Sequence, residues 1–374
     1  MELGLNAIPL PEDEWYWRDL GVTWCKWGVD LDGLQIRDDR LDFERAANLG
    51  IRTCVDLRTA CEWMTRMGMQ AYNKLAQEGK MEPKPADDAP FEEHDRIIRA
   101  NQAKTNQVVL ELIAQHVSAY VEAHRDYCRD WEWWGEWNCP ATSQGIFHII
   151  CYPETLKVVH AAIKEVQPEA RVWTGGNGMD LNDGWVKGLQ QDGALKAFDA
   201  LNWHPYPMSM RDRHKIEERL HENYSGWRKT LDAEGLGQWY TSTEWGYPSL
   251  QKVSRAQRQW LTSQVVEGGI TQLYPDEALE FYEGDLRIME EHDFQVVMVH
   301  TLRDSPTRFW GTKCGLLTIP IPGLKGRLAR AAWKLIEAKP VYRLVREWAH
   351  KGAAGPPAFT RKPERGPLVP GVNL

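Results

Sequence analysis

Strand-like and helix-like stretches alternate along almost the whole chain, and this alternation limits the possible fold more than any single motif does. Residues 3–8, 21–29, 51–57, 131–140, 171–176, 198–207, 238–248 and 294–300 are short runs rich in β-branched and aromatic side chains. That composition suits a pleated, half-buried surface. Between them lie stretches with apolar residues at helical spacing. In residues 108–127 the stripe is Val109, Leu112, Ile113, Val117, Tyr120 and Val121; in residues 153–166 it is Leu156, Val159, Ile163 and Val166. Further helices are predicted over residues 12–20, 41–49, 185–197, 216–231, 256–266, 277–291 and 328–338. Strands that alternate with helices form a parallel sheet with helices outside. Eight such units predict a (β/α)8 TIM barrel within α/β proteins, a size of fold that 374 residues can fill. The competing architecture, a doubly wound open sheet, calls for a phosphate-binding turn after the first strand, and none is present.

Two segments stand apart from the rhythm. Residues 78–95 hold three prolines and many charges without periodicity, and are expected to form a long loop after strand three, over the mouth of the barrel. Residues 356–374 are Pro/Gly-rich and are expected to be extended. The reading is therefore a single barrel over residues 1–350 with a C-terminal tail over 351–374. A net charge of −8 with no basic stripe speaks against nucleic acid as a partner. No apolar run approaches the roughly 20 residues of a membrane span. Seven scattered cysteines, with no C-x-x-C pair, argue against a disulfide framework and a zinc ribbon. The first residues lack a basic, then apolar, leader. A cytoplasmic protein, or one exported without a recognisable signal peptide, is expected.

The chemistry centres on residues 131–140, W-E-W-W-G-E-W-N-C-P. Strand alternation would put Glu132, Trp134 and Glu136 on one face, with Glu136 at the strand's exit among indoles. A carboxylate so placed is poorly solvated and its pKa should rise towards that of a general acid. Barrel active sites are built from strand ends and the loops after them. The residues at those ends are Lys26, Trp27, Asp56, Arg58, Glu136, His204, Tyr206, Glu244 and His300. Two carboxylates facing across a mouth are what glycoside hydrolysis needs. The 19 tryptophans suit both a Trp-heavy core and a carbohydrate cleft. Trp203, Trp245 and Trp310 are candidate sugar platforms or packing residues. Glu132, lower in the strand, is expected to pair inside the barrel floor, and Asp56 and Arg58 to pair with each other. No histidine cluster has metal-ligand spacing, which weakens a metal-hydrolase reading.

These motifs, in this order, resemble clan A glycoside hydrolases, most closely the β-xylosidase and α-L-iduronidase-like family 39. The run at 131–138 resembles that family's acid/base strand; Q-P-E-A-R-V-W-T-G-G at 167–176 its next strand; N-W-H-P-Y at 202–206 its strand six; and T-E-W-G at 243–246 its nucleophile strand. L-R-D at 302–304, G-L-L at 315–317 and K-P-V-Y at 339–342 are similar to its closing segments. The resemblance implies a retaining double displacement on a β-linked carbohydrate, without cofactor or metal, with Glu136 as acid/base and Glu244 as nucleophile. Lys26, Trp27, Asn138, His204, Tyr206, Trp245 and His300 are then the candidate substrate-binding residues. Two positions depart from the family. Gly135 stands where it has asparagine, which binds the sugar 2-hydroxyl, and Lys26 stands where it has arginine, a different donor. Gly135 is expected to leave space for a substituent on C2, or to pass the role to another donor such as Asn138. The departures also motivate a rival of another class, a non-catalytic glycan-binding protein on the same barrel.

Overall fold

The computed structural model of the chain describes residues 1–31, 36–58, 61–86, 88–136, 152–176, 184–206, 213–247, 275–303, 315–317 and 338–351. Its strands are β1 (Glu2–Asn6), β2 (Trp24–Asp30), β3 (Arg52–Arg58), β4 (Asp130–Trp133), β5 (Arg171–Thr174), β6 (Ala200–Asn202), β7 (Trp239–Trp245) and β8 (Phe294–Val299). They pair in chain order, all parallel, and β8 closes on β1. The closed eight-stranded barrel with flanking helices is the architecture that the strand–helix alternation predicts. The helices among the described residues are α1 (Glu14–Leu20), α2 (Arg40–Asn48), α3 (Cys61–Gln77), α4 (Phe91–His124), α5 (Tyr152–Val166), α6 (Gly184–Gln191), α7 (Arg213–Ala233), α8 (Pro275–Glu291) and α9 (Pro340–Ala349). None is long and apolar enough to cross a membrane.

Strand alternation divides the barrel residues between two cores. Outward-facing Val55, Leu57, Trp131, Trp133 and Val172 join the main apolar cluster with the helices. There the Trp131 and Trp133 indole N–H groups donate to Gln167 Oε1 and Thr155 Oγ1, each at 2.9 Å. Inward-facing Trp24, Cys54, Trp173, Ala200, Val296 and Met298 form a separate plug. At the N-terminal rim, Arg171 and Asp130 pair through two hydrogen bonds of 2.6 and 2.9 Å, and Arg52 pairs with Glu2. The barrel is thus sealed below by ions and indoles, so a site can open only at the other end. Cys25, Cys54 and Cys128 are buried and free.

The long excursion after β3 is more helical than its composition suggests. The loop expected over 78–95 shrinks to the stretch between Gln77 and Phe91. The missed helix α3 buries Met67, Ala71 and Leu75, one face at a spacing of four residues. Helix α4 starts at Phe91 rather than near residue 108 and runs for 34 residues, about 50 Å. Its first half is polar nearly all round, so no apolar stripe marks it. Asn101 ties the preceding loop to it, accepting from Glu82 N at 2.8 Å and donating to Glu82 O at 3.0 Å. At the other end of the chain, α9 begins with Pro340 at its first turn, where proline costs no hydrogen bond. It docks on α1 through Tyr342 and Arg346, which donate to the Asp19 carboxylate at 2.9 and 3.2 Å. The helices expected over 256–266 and 328–338 and the tail beyond 351 lie outside the described residues, as do Asn138 and Trp310.

Candidate active site

Strand β4 stops at Trp133, three residues before Glu136. Trp134 and Glu136 then take left-handed backbone, with φ of 57° and 55°, so the alternation expected to carry Glu132, Trp134 and Glu136 on one face does not apply. Glu136 instead stands on a turn, fixed by its own N–H donating to Gly176 O at 2.6 Å. On the opposite side, β7 and β8 slip register between Ser242 and Trp245. This bulge lets Thr243 point into the barrel beside Glu244, although the two are consecutive.

Below the mouth lies a buried polar layer. Lys26 Nζ is 2.9 Å from both carboxylate oxygens of Glu132, 3.0 Å from Thr243 Oγ1 and 3.9 Å from Asp56 Oδ2. Glu132 also accepts from Gly176 N at 3.1 Å, and Asp56 from Gly135 N at 2.9 Å. Lys26 and Glu132 are thus the lysine and floor carboxylate that the sequence singles out, and they answer each other. Asn202 accepts from Thr243 N at 2.9 Å and donates from Nδ2 to Thr243 Oγ1 at 2.7 Å. The first of these bonds fixes which way the amide points.

Above that layer the candidate catalytic groups converge. His204 Nδ1 lies 3.2 Å from Glu136 Oε1 and 3.3 Å from Glu244 Oε2. His204 Nε2 is 3.1 Å from Thr243 Oγ1. That hydroxyl already accepts from Lys26 and Asn202, which leaves no lone pair for an Nε2–H, while its single proton has Nε2 and the Glu132 carboxylate to go to. The proton of His204 is then on Nδ1, facing both carboxylates. His300 Nδ1 comes within 3.0 Å of Glu244 Oε1 without the alignment of a hydrogen bond. Ligand atoms of Glu136, His204 and Glu244 all lie within 4.8 Å of one another, a set that could hold a metal ion. The sequence gives no hint of it, because the three residues come from three strands' ends rather than one motif.

Burial tunes this cluster. It raises the Glu136 carboxyl above its ordinary value, against the pull of Lys26 and His300. It lowers His204 to about 3 despite the neighbouring Glu244 carboxylate, so the ring is neutral at ordinary pH. Burial also pushes Glu132 up to about 7, against the ammonium of Lys26. For Lys26 burial works against the charge, but Glu132 and Asp56 outweigh it and hold the ammonium above its usual range.

Three of the candidate binding residues do not meet the mouth. Trp27 is on the outward row of β2 and packs on Phe43 of α2, ring centroids 5.0 Å apart. Trp245 is fully buried, with its N–H on Asp285 Oδ2 at 3.0 Å and its ring against Tyr282. Lys26 is spent on its carboxylate partners beneath the site. Tyr206 is buried beside His204, rings 6.4 Å apart, and Trp203 packs on Tyr224 and Trp227. The space expected at Gly135 is also filled. A Cβ there would sit 2.8 Å from Asp56 Oδ2 and 3.3 Å from Glu132 Oε1. Thr243 and Asn202, which sequence reasoning did not single out, carry the network; the bulge hides Thr243 from any alternation rule.

No family model matches this chain, and no curated protein matches it. Solved structures do. The chain is similar to the β-glucuronidase from Ruminococcus gnavus in complex with D-glucuronic acid, with 11% identity and a TM-score of 0.52 over 90% of this chain and 45% of that one. The Ruminococcus gnavus β-glucuronidase in complex with an N1-substituted uronic isofagomine gives 12% identity and a TM-score of 0.52, over 90% of this chain and 44% of that one. The likeness is one of fold, and this chain spans less than half the length of those enzymes.

Proposed function

We propose that the barrel is a retaining glycoside hydrolase of the family 39 type that cleaves β-linked glycan, with Glu136 as acid/base and Glu244 as nucleophile. The observation that carries the reading is the approach of the two carboxylates, an oxygen of each within 4.8 Å of the other's. Retaining enzymes hold their carboxyls about 5–5.5 Å apart, whereas inverting ones leave about 6.5–9.5 Å for water. The environments also differ as the roles require. Glu136 has its proton held by burial, while Glu244 faces both His204 and His300. Glu136 protonates the leaving oxygen as Glu244 attacks the anomeric carbon; Glu136 then takes a proton from the water that releases the sugar. The shared barrel of the β-glucuronidases supports a glycosidase on this scaffold.

Mass spectrometry after incubation with 2-deoxy-2-fluoro glycosyl fluorides tests the reading. A mass gain on the wild type, absent on Glu244→Gln, is the expected result. Absence of any adduct, together with no hydrolysis of aryl β-glycosides, would leave a barrel that binds glycan without cutting it.

The Glu136, His204 and Glu244 donor set also suggests a metal hydrolase. A metal on His204 Nδ1 would move the ring proton to Nε2, against a Thr243 oxygen that already accepts two N–H groups. The donor set therefore fits a metal poorly, and activity is expected to survive chelation.

A further inference from the structure

Arg58 is the last residue of β3 and follows Cys54 and Asp56 on the inward row. Cys54 belongs to the plug and Asp56 to the buried polar layer, so Arg58 reaches the level of the mouth. Its guanidinium fills the space in front of Gly28, where a Cβ would fall on Nη2 and Cζ. Any other residue at position 28 would drive the arginine out of this seat. Asp56, which fills the space at Gly135, lies 3.5 Å from Arg58 Nε through Oδ2. Two glycines thus make room for one carboxylate–guanidinium pair beside the catalytic residues.

The pair does not use up the arginine. Asp56 and Asp30 come to Nε at 3.5 and 3.9 Å, and Nε makes no hydrogen bond among the described residues. The side chain is 43% exposed. Lys26, the other cation of this quadrant among the described residues, is paired beneath with Glu132. Among the described residues the other charged or ionisable groups of this part of the mouth are the carboxyls of Glu136, Glu244 and Asp30, which suffice for the hydroxyls of a neutral sugar. A planar fork of N–H donors seated among them is complementary to an oxyanion.

We propose that Arg58 is the glycone-selecting residue and that the sugar it takes carries an oxyanion, a carboxylate or a sulfate ester. The proposal rests on the glycosidase reading for where the sugar sits. Asp56 is the positioning residue, holding the guanidinium by its Nε edge and leaving the terminal nitrogens to the ligand.

The test compares kcat/KM for p-nitrophenyl β-glucuronide and β-galacturonide, for the 6-sulfated β-glucoside, and for the neutral β-glucoside and β-galactoside. Wild type, Arg58→Gln and Arg58→Lys are measured. Binding of the matching uncleavable thioglycosides is read in parallel by calorimetry. The wild type is expected to favour an acidic substrate, and the uronate and sulfate arms tell which oxyanion it takes. Arg58→Gln should lower that preference about ten- to a hundredfold, the worth of a hydrogen bond to a charged group, and Arg58→Lys should restore part of it. Equal losses on acidic and neutral substrates, or a wild type that favours the neutral sugars, would overturn the proposal. Arg58-dependent binding of acidic thioglycosides without any hydrolysis would keep this inference and sink the glycosidase. Hydrolysis of neutral substrates alone would do the reverse.

Discussion

Glu136 and Glu244 share one neighbour: Nδ1 of His204 lies 3.2 Å from an oxygen of the first and 3.3 Å from an oxygen of the second. The imidazole is fully buried, while each carboxylate keeps a side-chain exposure of 20%. A buried donor below two part-exposed carboxylates is an arrangement that suits a sugar bound between them. The ring is neutral, so it orients both groups without adding a charge that would lower the pKa of the acid.

Glu136 should govern the alkaline limb of the pH profile. Its pKa is raised by burial, and a general acid works only while protonated. Activity is therefore present below that raised pKa and falls as pH rises through it, at a pH above the ordinary carboxyl value of 4.5. Glu136→Gln is expected to lose about 10²–10⁴ in kcat/KM on substrates with poor leaving groups. The loss should be far smaller on dinitrophenyl glycosides, whose leaving group needs no proton, and the alkaline limb should vanish there. Equal losses on both classes of substrate would remove Glu136 from the acid role.

Thr243 should act through His204. Thr243→Val keeps the shape but deletes the hydroxyl that meets Nε2 at 3.1 Å and accepts from Lys26 and Asn202. The imidazole loses its reason to keep the proton on Nδ1. The expected result is a drop of about tenfold or more in kcat with a smaller change in KM, because the error is one of orientation. Nitrogen chemical shifts of the His204 ring report the tautomer directly. An unchanged tautomer alongside lost activity would mean that Thr243 acts by another route.

Some of this was legible in the chain and some was not. The barrel was, because its eight strand signals and most of its helices carry their own periodicity. The candidate pair is approached by the wrong path. Glu136 was reached by extending strand alternation through Trp134, yet both residues have left-handed backbone; its place at the strand's exit survives because the chain must turn there anyway. Trp245 and Trp27 show the limit of composition. An indole suits a sugar and a core equally, and only the direction of the side chain decides. Polar residues whose partners are distant in sequence were harder still. Lys26 meets Glu132 across 106 residues and Thr243 across 217, and no local pattern encodes such a meeting. Likewise Gly135 looks like open space until Asp56 from another strand is seen to fill it.

Trp245 offers a check on that correction. Trp245→Phe removes the N–H that meets Asp285 at 3.0 Å but keeps most of the ring. Asp285 still accepts from Arg213 at 2.6 Å and from Tyr247. A loss of about 1–3 kcal/mol of stability is expected by urea unfolding, with KM unchanged. A platform role would give the opposite pattern, a weaker KM on an intact fold.

The Lys26–Glu132 pair makes the sharpest stability prediction. Both side chains are buried, and a buried pair broken on one side costs about 3–5 kcal/mol because a charge is stranded. Lys26→Met should therefore destabilise strongly, whereas Lys26→Met with Glu132→Gln should recover much of the loss. The pH dependence follows from Glu132, whose folded pKa of about 7 exceeds its ordinary 4.5. A raised folded pKa gives stability that is complete below 4.5 and is lost as pH rises through about 7. In Lys26→Met the ammonium that opposes this shift is gone, so unfolding free energy should fall more steeply between pH 5 and 8 than in wild type. The double variant should show a flatter curve than either. A single variant with the pH dependence of wild type would mean that Glu132 is not the group titrating beneath the site.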